Sequence, residues 1–137
     1  YNALAEDADI DIQTSKAWIN ILETLGIIFL LHPYSNNVLK RTIKTPKVYF
    51  YDTGLVCYLT RWSSPEVAES GAMSGALLEN YTVSEIMKSY QNAGLEPYLY
   101  FYRDRDAKEI DVILEGDGKL CPLEIKKQAF NPRFQSN

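Results

Sequence analysis

Asp111, Glu124 and Lys126 are the residues whose types and spacing point most directly to chemistry. They lie in two short apolar runs, Glu109 to Glu115 and Leu120 to Lys127, joined by Gly116-Asp117-Gly118. An Asp-Gly pair between such runs signals a tight hairpin, because both turn positions need positive φ. A turn centred between Asp117 and Gly118 makes paired positions sum to 235 (117 + 118), which sets Asp111 opposite Glu124 and Glu109 opposite Lys126. Facing carboxylates repel, and a divalent cation between them removes the repulsion. A third carboxylate comes from upstream. Glu79, Val83, Ile86 and Tyr90 recur at helical spacing on one otherwise apolar stripe. A glutamate there is either half exposed near the helix start, where the macrodipole favours it, or aimed at a site. Glu79, Asp111 and Glu124-Ile125-Lys126 together form the set that a metal-dependent nuclease needs. Carboxylate oxygens hold Mg²⁺, the metal activates water and neutralises phosphate charge, and the lysine stabilises the pentavalent phosphorus centre. The competing reading is a solvent face with scattered charges, since an Asp, a gap of twelve and Glu-x-Lys is a common pattern.

The elements that must position this set read α, β, β, β from about residue 75. The helix runs from Gly75 to Asn92 and stops at Gly94. Tyr98 to Tyr102 is an aromatic strand, Arg103 to Lys108 is a charged turn, and the Asp117-Gly118 hairpin follows. Upstream, the first ten residues read as the end of a helix. Thr14 or Ser15 is the expected N-cap of the next one, and Trp18, Ile21, Leu22 and Leu25 form its apolar face. Gly26 stops it. Ile27 to Leu31 reads as a strand, and His32 to Asn37 as a turn. Val38 to Ile43 and Val48 to Tyr51 read as strands broken at Thr45-Pro46. This is the order of a winged-helix module whose first helix lies before Tyr1, or of a simple αββ cap. Asp52-Thr53-Gly54 reads as an Asx turn or helix cap opening a segment that ends near Leu59-Thr60. Residues 61–71 read as a loop with Pro65 and Gly71.

At 137 residues and 46% hydrophobic, the chain has material for one or two small cores, which excludes disorder and collagen. No apolar run reaches the roughly 20 residues of a membrane span. Cys57 and Cys121 have no CxxC spacing, so an intracellular, cytoplasmic protein is expected. One histidine, His32, and two distant cysteines make neither a catalytic triad nor a zinc site. The net charge of -4 hides a basic run, Lys40, Arg41, Lys44 and Lys47, with no acid between residues 32 and 50. Such a run meets phosphate or protects an edge strand. Arg103 and Arg105 flank the proposed site and either touch phosphate or balance Asp104 and Asp106. The ten tyrosines fit strand packing better than base stacking. No GxxxxGK[ST] is present, so a Walker A loop is not encoded in this chain.

Lys47-Val-Tyr-Phe-Tyr-Asp52-Thr-Gly-Leu55, Gly75-Ala-Leu-Leu-Glu79-Asn-Tyr-Thr-Val83, Tyr102-Arg-Asp-Arg-Asp-Ala-Lys-Glu109-Ile-Asp111-Val and Leu123-Glu124-Ile-Lys126 occur in one order. Together they resemble the C-terminal domain of a large prokaryotic group of AAA-type P-loop ATPases, the domain of unknown function 4143. The resemblance implies an α/β (α+β) fold. A winged-helix-like segment over 1–51 would precede a PD-(D/E)xK, restriction-endonuclease-like αβββ core over 52–137. It implies a catalytic set of Glu79, Asp111, Glu124 and Lys126, with Asp111, Glu124 and Glu79 as Mg²⁺ ligands. Charge pattern, apart from the resemblance, makes Lys40, Arg41, Lys44, Lys47, Arg103 and Arg105 the candidate nucleic-acid contacts. Ile110 stands where the motif usually has proline. ATP would act only through an upstream ATPase domain. Eleven residues follow Lys126, so the core is expected to be cut short or completed by a second copy, as in a homo-oligomer or swapped dimer. Two functions stay open: a Mg²⁺-dependent DNA endonuclease, or a catalytically inactive DNA-binding, protein-binding or oligomerisation module of the ATPase.

Overall fold

Periodicity, caps and turns decide where the elements begin and end. The computed structural model describes residues 1–34, 45–104, 106 and 108–127. The strand expected over Val38 to Ile43 and the candidates Lys40, Arg41, Lys44 and Arg105 lie outside the described residues. Within them the chain forms α1 (Asn2–Asp7), α2 (Ile12–Thr24), β1 (Ile28–Pro33), β2 (Lys47–Phe50) and α3 (Thr53–Leu59). It continues with α4 (Pro65–Ser70), α5 (Ser74–Asn92), β3 (Leu99–Arg103), β4 (Glu109–Gly116) and β5 (Lys119–Leu123). The αβββ order expected from residue 75 is present.

The start of α2 differs from expectation. Its N-cap is Asp11, whose Oδ1 accepts from the Gln13 and Thr14 amides at 2.8 and 2.9 Å. A carboxylate satisfies two otherwise orphaned N–H groups there, and so outcompetes the later hydroxyls. Its buried residues are Ser15 and Ile19, whereas Trp18, Ile21 and Leu25 of the expected apolar face are 53, 54 and 66% exposed. The loop expected over residues 61–71 contains α4 instead. Ser64 Oγ caps the Val67 amide, and Pro65 stands in the first turn, where its missing N–H costs nothing. Asp52 caps α3 as expected, its Oδ1 accepting from Gly54 and Leu55. His32, expected in a turn, continues β1 and pairs with Tyr100 of β3.

Among the described residues the strands form an open five-stranded sheet of order β2-β1-β3-β4-β5. β1 pairs antiparallel with β2 and parallel with β3, and the β3–β4 and β4–β5 pairs are antiparallel. The segment expected to be a separate winged-helix-like unit therefore shares its sheet with the αβββ part. The core crosses residue 51 as well. Phe29, Leu31 and Tyr49 from β1 and β2 pack with Leu99, Phe101 and Val112 from β3 and β4. Val83 and Met87 of α5 close this cluster from one face. Burying such side chains contributes about 1.5–3 kcal/mol each, so the two parts are held by a common apolar core. The architecture is mixed α/β.

Two local features set the register around the site. Asp117 and Gly118 both have positive φ, 50° and 71°, as a two-residue hairpin turn requires. The β4–β5 ladder runs from Gly116↔Lys119 to Val112↔Leu123, so paired positions sum to 235 as the Asp-Gly pair predicts. It ends one residue short of Glu124. On the other side of β4, Tyr100 pairs with Ile113 but Tyr102 pairs with Ile110. Phe101 thus faces two residues, Asp111 and Val112. A β-bulge of this kind changes which face the following residues present. Beyond it, Glu109 pairs with Arg103 and lies on the same face as the α5 core contacts.

Candidate functional site

The bulge brings an acidic stretch of β4 toward the helix and edge strand that carry Glu79, Tyr49 and Lys47. Lys47 and Tyr49 are two apart on β2 and therefore share one face. The Lys47 ammonium lies 3.1 Å from Glu79 Oε1 on α5 and 2.5 Å from Glu109 Oε1 on β4. It also sits 5.3 Å from the centre of the Phe101 ring, a cation–π contact. The Tyr49 hydroxyl donates to the same Glu79 oxygen at 2.6 Å. Arg103 Nε reaches the other oxygen of Glu109 at 3.6 Å. The site is a ring of alternating charge around one half-buried ammonium.

The electrostatics follow from this placement. Burial works against the charge on Lys47. The hydrogen bonds it donates to Glu109 and Glu79, with their charges, outweigh it and raise the ammonium above its ordinary value of 10.5. Burial comes first for Tyr49 also. The hydrogen bond to Glu79 and the charges of Glu79, Asp111 and Glu109 add to it and hold the phenol far above its ordinary 10.0. Tyr49 is thus a fixed donor. Three carboxylates act on it, which places Glu79, Asp111 and Glu109 in one electrostatic neighbourhood.

Asp111 has a second task. Its Oδ2 accepts the Ile125 amide at 2.7 Å, just past the last ladder pair of β5. The carboxylate thereby holds the Glu-x-Lys segment against β4. Glu124 and Lys126 go elsewhere: they pair with each other at 3.0 Å, with their side chains 59 and 65% exposed. Leu123 and Ile125, between and beside them, pack against the core, as strand alternation demands. Of the four residues proposed as catalytic, Glu79 joins the Lys47–Tyr49 cluster, Asp111 holds the Ile125 amide with its charge acting on Tyr49, and Glu124 and Lys126 form a surface pair.

These placements bear on metal binding. Among the described residues no three or more His, Cys, Asp or Glu side chains are placed to hold a metal ion. The position between Glu79 and Glu109 is taken by the Lys47 ammonium. Glu79, Asp111 and Glu124, the expected ligands, are not gathered into one such group. Among the described residues no helix is long and apolar enough to cross a membrane.

Three residues carry more of the site than the sequence suggests. Tyr49 and Lys47 read as strand and basic run, but their i, i+2 spacing opposite an acidic helix position is the signal that pairs them with Glu79. Asn80 reads as a polar helix residue. It is buried, and its side chain accepts from the Phe50 amide at 2.8 Å and donates to the Phe50 carbonyl at 3.1 Å. It also donates to the Thr53 hydroxyl at 2.9 Å. Asn80 thus satisfies the free edge of β2 and holds Lys47 and Tyr49 against α5. No local pattern announces this role.

The helix, the bulge and the hairpin that build the site all fall within one stretch. Residues 74–136 match the model of a domain of unknown function, DUF4143. Residues 1–66 match a second, the domain of unknown function DUF8612. Lys47 and Tyr49 stand in the DUF8612 segment, and Glu79, Glu109 and Asp111 stand in the DUF4143 segment. The cluster is therefore a junction between the two. Curated relatives include the uncharacterized protein Mb2031c of Mycobacterium bovis and the uncharacterized protein Rv2008c of Mycobacterium tuberculosis. Each is 28% identical over 125 residues, 90% of this chain and 27% of the relative. The chain thus spans about a quarter of the length of these relatives. No solved structure matches it.

Proposed function

We propose that this chain is a non-catalytic, protein-docking module of a longer, ATPase-associated protein. The observation that carries the reading is the Lys47 ammonium seated between Glu79 and Glu109, so that Glu79, one of the three expected metal ligands, is already paired with a cation of the chain. A cation of the chain neutralises these two carboxylates in the role a metal would otherwise have. The Glu-x-Lys pair turned to solvent agrees with this. The net charge of -4 disfavours nucleic acid as the general partner. The apolar Trp18 and Ile21 exposed on α2, with Leu25 at its C-cap, suit a protein neighbour.

The runner-up is a Mg²⁺-dependent nuclease of the PD-(D/E)xK type. One observation favours it: Glu79, Asp111 and Glu109 all act on Tyr49, so a divalent cation displacing Lys47 would meet acids from α5 and β4. Incubating the chain with supercoiled plasmid and Mg²⁺ or Mn²⁺ separates the two. The docking reading expects no nicking. Nicking abolished by Asp111→Ala, in a variant that remains folded, contradicts it and establishes the nuclease.

A further inference from the structure

A second concavity, of about 940 Å³, opens beside the β4–β5 turn and shares no residue with the Lys47 cluster. Its walls carry three phenol rings, Tyr90, Tyr98 and Tyr100, and three carboxylates, Glu96, Glu115 and Asp117. Tyr90 comes from the last turn of α5, Tyr100 from β3, and Glu115 and Asp117 from the hairpin. The rings are anchored. The Tyr98 hydroxyl reaches Glu96 Oε2 at 3.4 Å, and the Tyr34 ring meets Tyr100 edge-on at 5.6 Å. Cross-strand pairing brings the acids close to the rings, since the Glu115 amide donates to the Tyr98 carbonyl at 3.0 Å. Partial burial, and then the charge of Glu115, raises the Tyr100 phenol above its ordinary range.

Among the described residues Glu96, Glu115 and Asp117 form no ion pair. α5 ends at this pocket with no basic residue in its last turn, so the negative end of a 19-residue helix adds to the field. Aromatic faces beside unpaired carboxylates form the environment that stabilises an organic cation. A planar guanidinium uses both parts at once: its face stacks on a phenol while its edge N–H groups donate to carboxylates. The volume exceeds one side chain and suits a short segment.

We propose that this pocket captures an arginine-bearing segment of a protein partner. The assignment rests on the docking reading but not on the Lys47 cluster, so plasmid nicking and partner capture can each fail alone. The test is fluorescence polarisation of the chain with labelled Gly-Arg-Gly-Arg-Gly, against Gly-Gln-Gly-Gln-Gly and unlabelled spermine as competitor. The arginine peptide should bind saturably, and the glutamine peptide should bind at least about tenfold more weakly. Tyr98→Ala and Glu115→Gln should each weaken arginine binding by about threefold to tenfold. Glu23→Gln, an exposed acid on α2, should leave it unchanged. Glu96→Gln serves as a further variant that removes charge without removing a ring. Equal binding of both peptides, or arginine binding indifferent to all three pocket variants, overturns the site. Spermine binding tighter than the arginine peptide overturns the protein partner in favour of a small polyamine.

Discussion

Lys47 on the edge strand and Glu79 on the longest helix are joined by a 3.1 Å ion pair that ties the DUF8612 segment to the DUF4143 segment. Glu109 completes it from a third element. Each side chain is about a quarter to a third exposed, so the interaction is stronger than a surface pair and weaker than a fully buried one. Its position across the junction matters more than its strength. It ties α5 to the sheet beside the apolar contacts of Val83 and Met87.

Lys47→Met retains the aliphatic stem over Phe101 but leaves Glu79 and Glu109 facing each other without their cation. The expected cost is about 1–3 kcal/mol, read as a lower urea midpoint with an unchanged slope. Adding Glu109→Gln should recover part of the loss, since it removes one of the two repelling charges.

Tyr49 and Lys47 both make stability fall at high pH. Each has its proton held more tightly in the folded chain than in the unfolded one. A raised value contributes stability that is complete below the unfolded value and lost as pH rises through the folded one. The urea midpoint should therefore hold steady up to about pH 10 and decline above it. Tyr49→Phe should be less stable at neutral pH, because Glu79 loses a donor, and should show a shallower alkaline decline.

Asp111→Ala should loosen the end of β5. The Ile125 amide loses its acceptor, so its hydrogen exchange should quicken while the amides of Val112 and Ile113 stay protected. A cost of about 1 kcal/mol is expected. Asp111→Asn retains a carbonyl oxygen and should restore slow exchange at Ile125. The pair of variants separates this backbone role from any role that needs the negative charge.

Gly71→Ala should destabilise the α4 region. A Cβ there runs into the Trp62 ring, with the Val67 carbonyl oxygen also 3.0 Å away. Neither neighbour is a flexible side-chain end, so the ring or the chain must shift, at about 1–3 kcal/mol. A change in Trp62 emission, with Trp18→Phe as background, reports it.

Much of the αβββ part was legible because its signals are local. Asp117-Gly118 dictates its own turn and with it the 235 register, and the spacing from Glu79 to Tyr90 marks the face that α5 turns to the sheet. The rest depends on contacts distant in sequence. The parallel pairing of β1 with β3 merges two segments that read as separate units, and neither strand announces its partner. The bulge opposite Phe101 is invisible in the alternation of β4, yet it decides that Glu109 meets Lys47 and not Lys126. The apolar stripe of α2 was legible as one helical face, but not its exposure, because periodicity shows which residues share a face and not what covers it. Asp11 outcompeting Thr14 was within reach, since both are good caps and only their order decides.

Lys47 pairs with Glu79 and Glu109, and on the proposed reading it serves these acids in place of a metal. Calorimetric titration of the wild-type chain with Mn²⁺, beside Lys47→Met, tests it most directly. The wild-type chain should give no saturable heat. Stoichiometric Mn²⁺ binding by the wild-type chain, lost in Asp111→Ala, would contradict it.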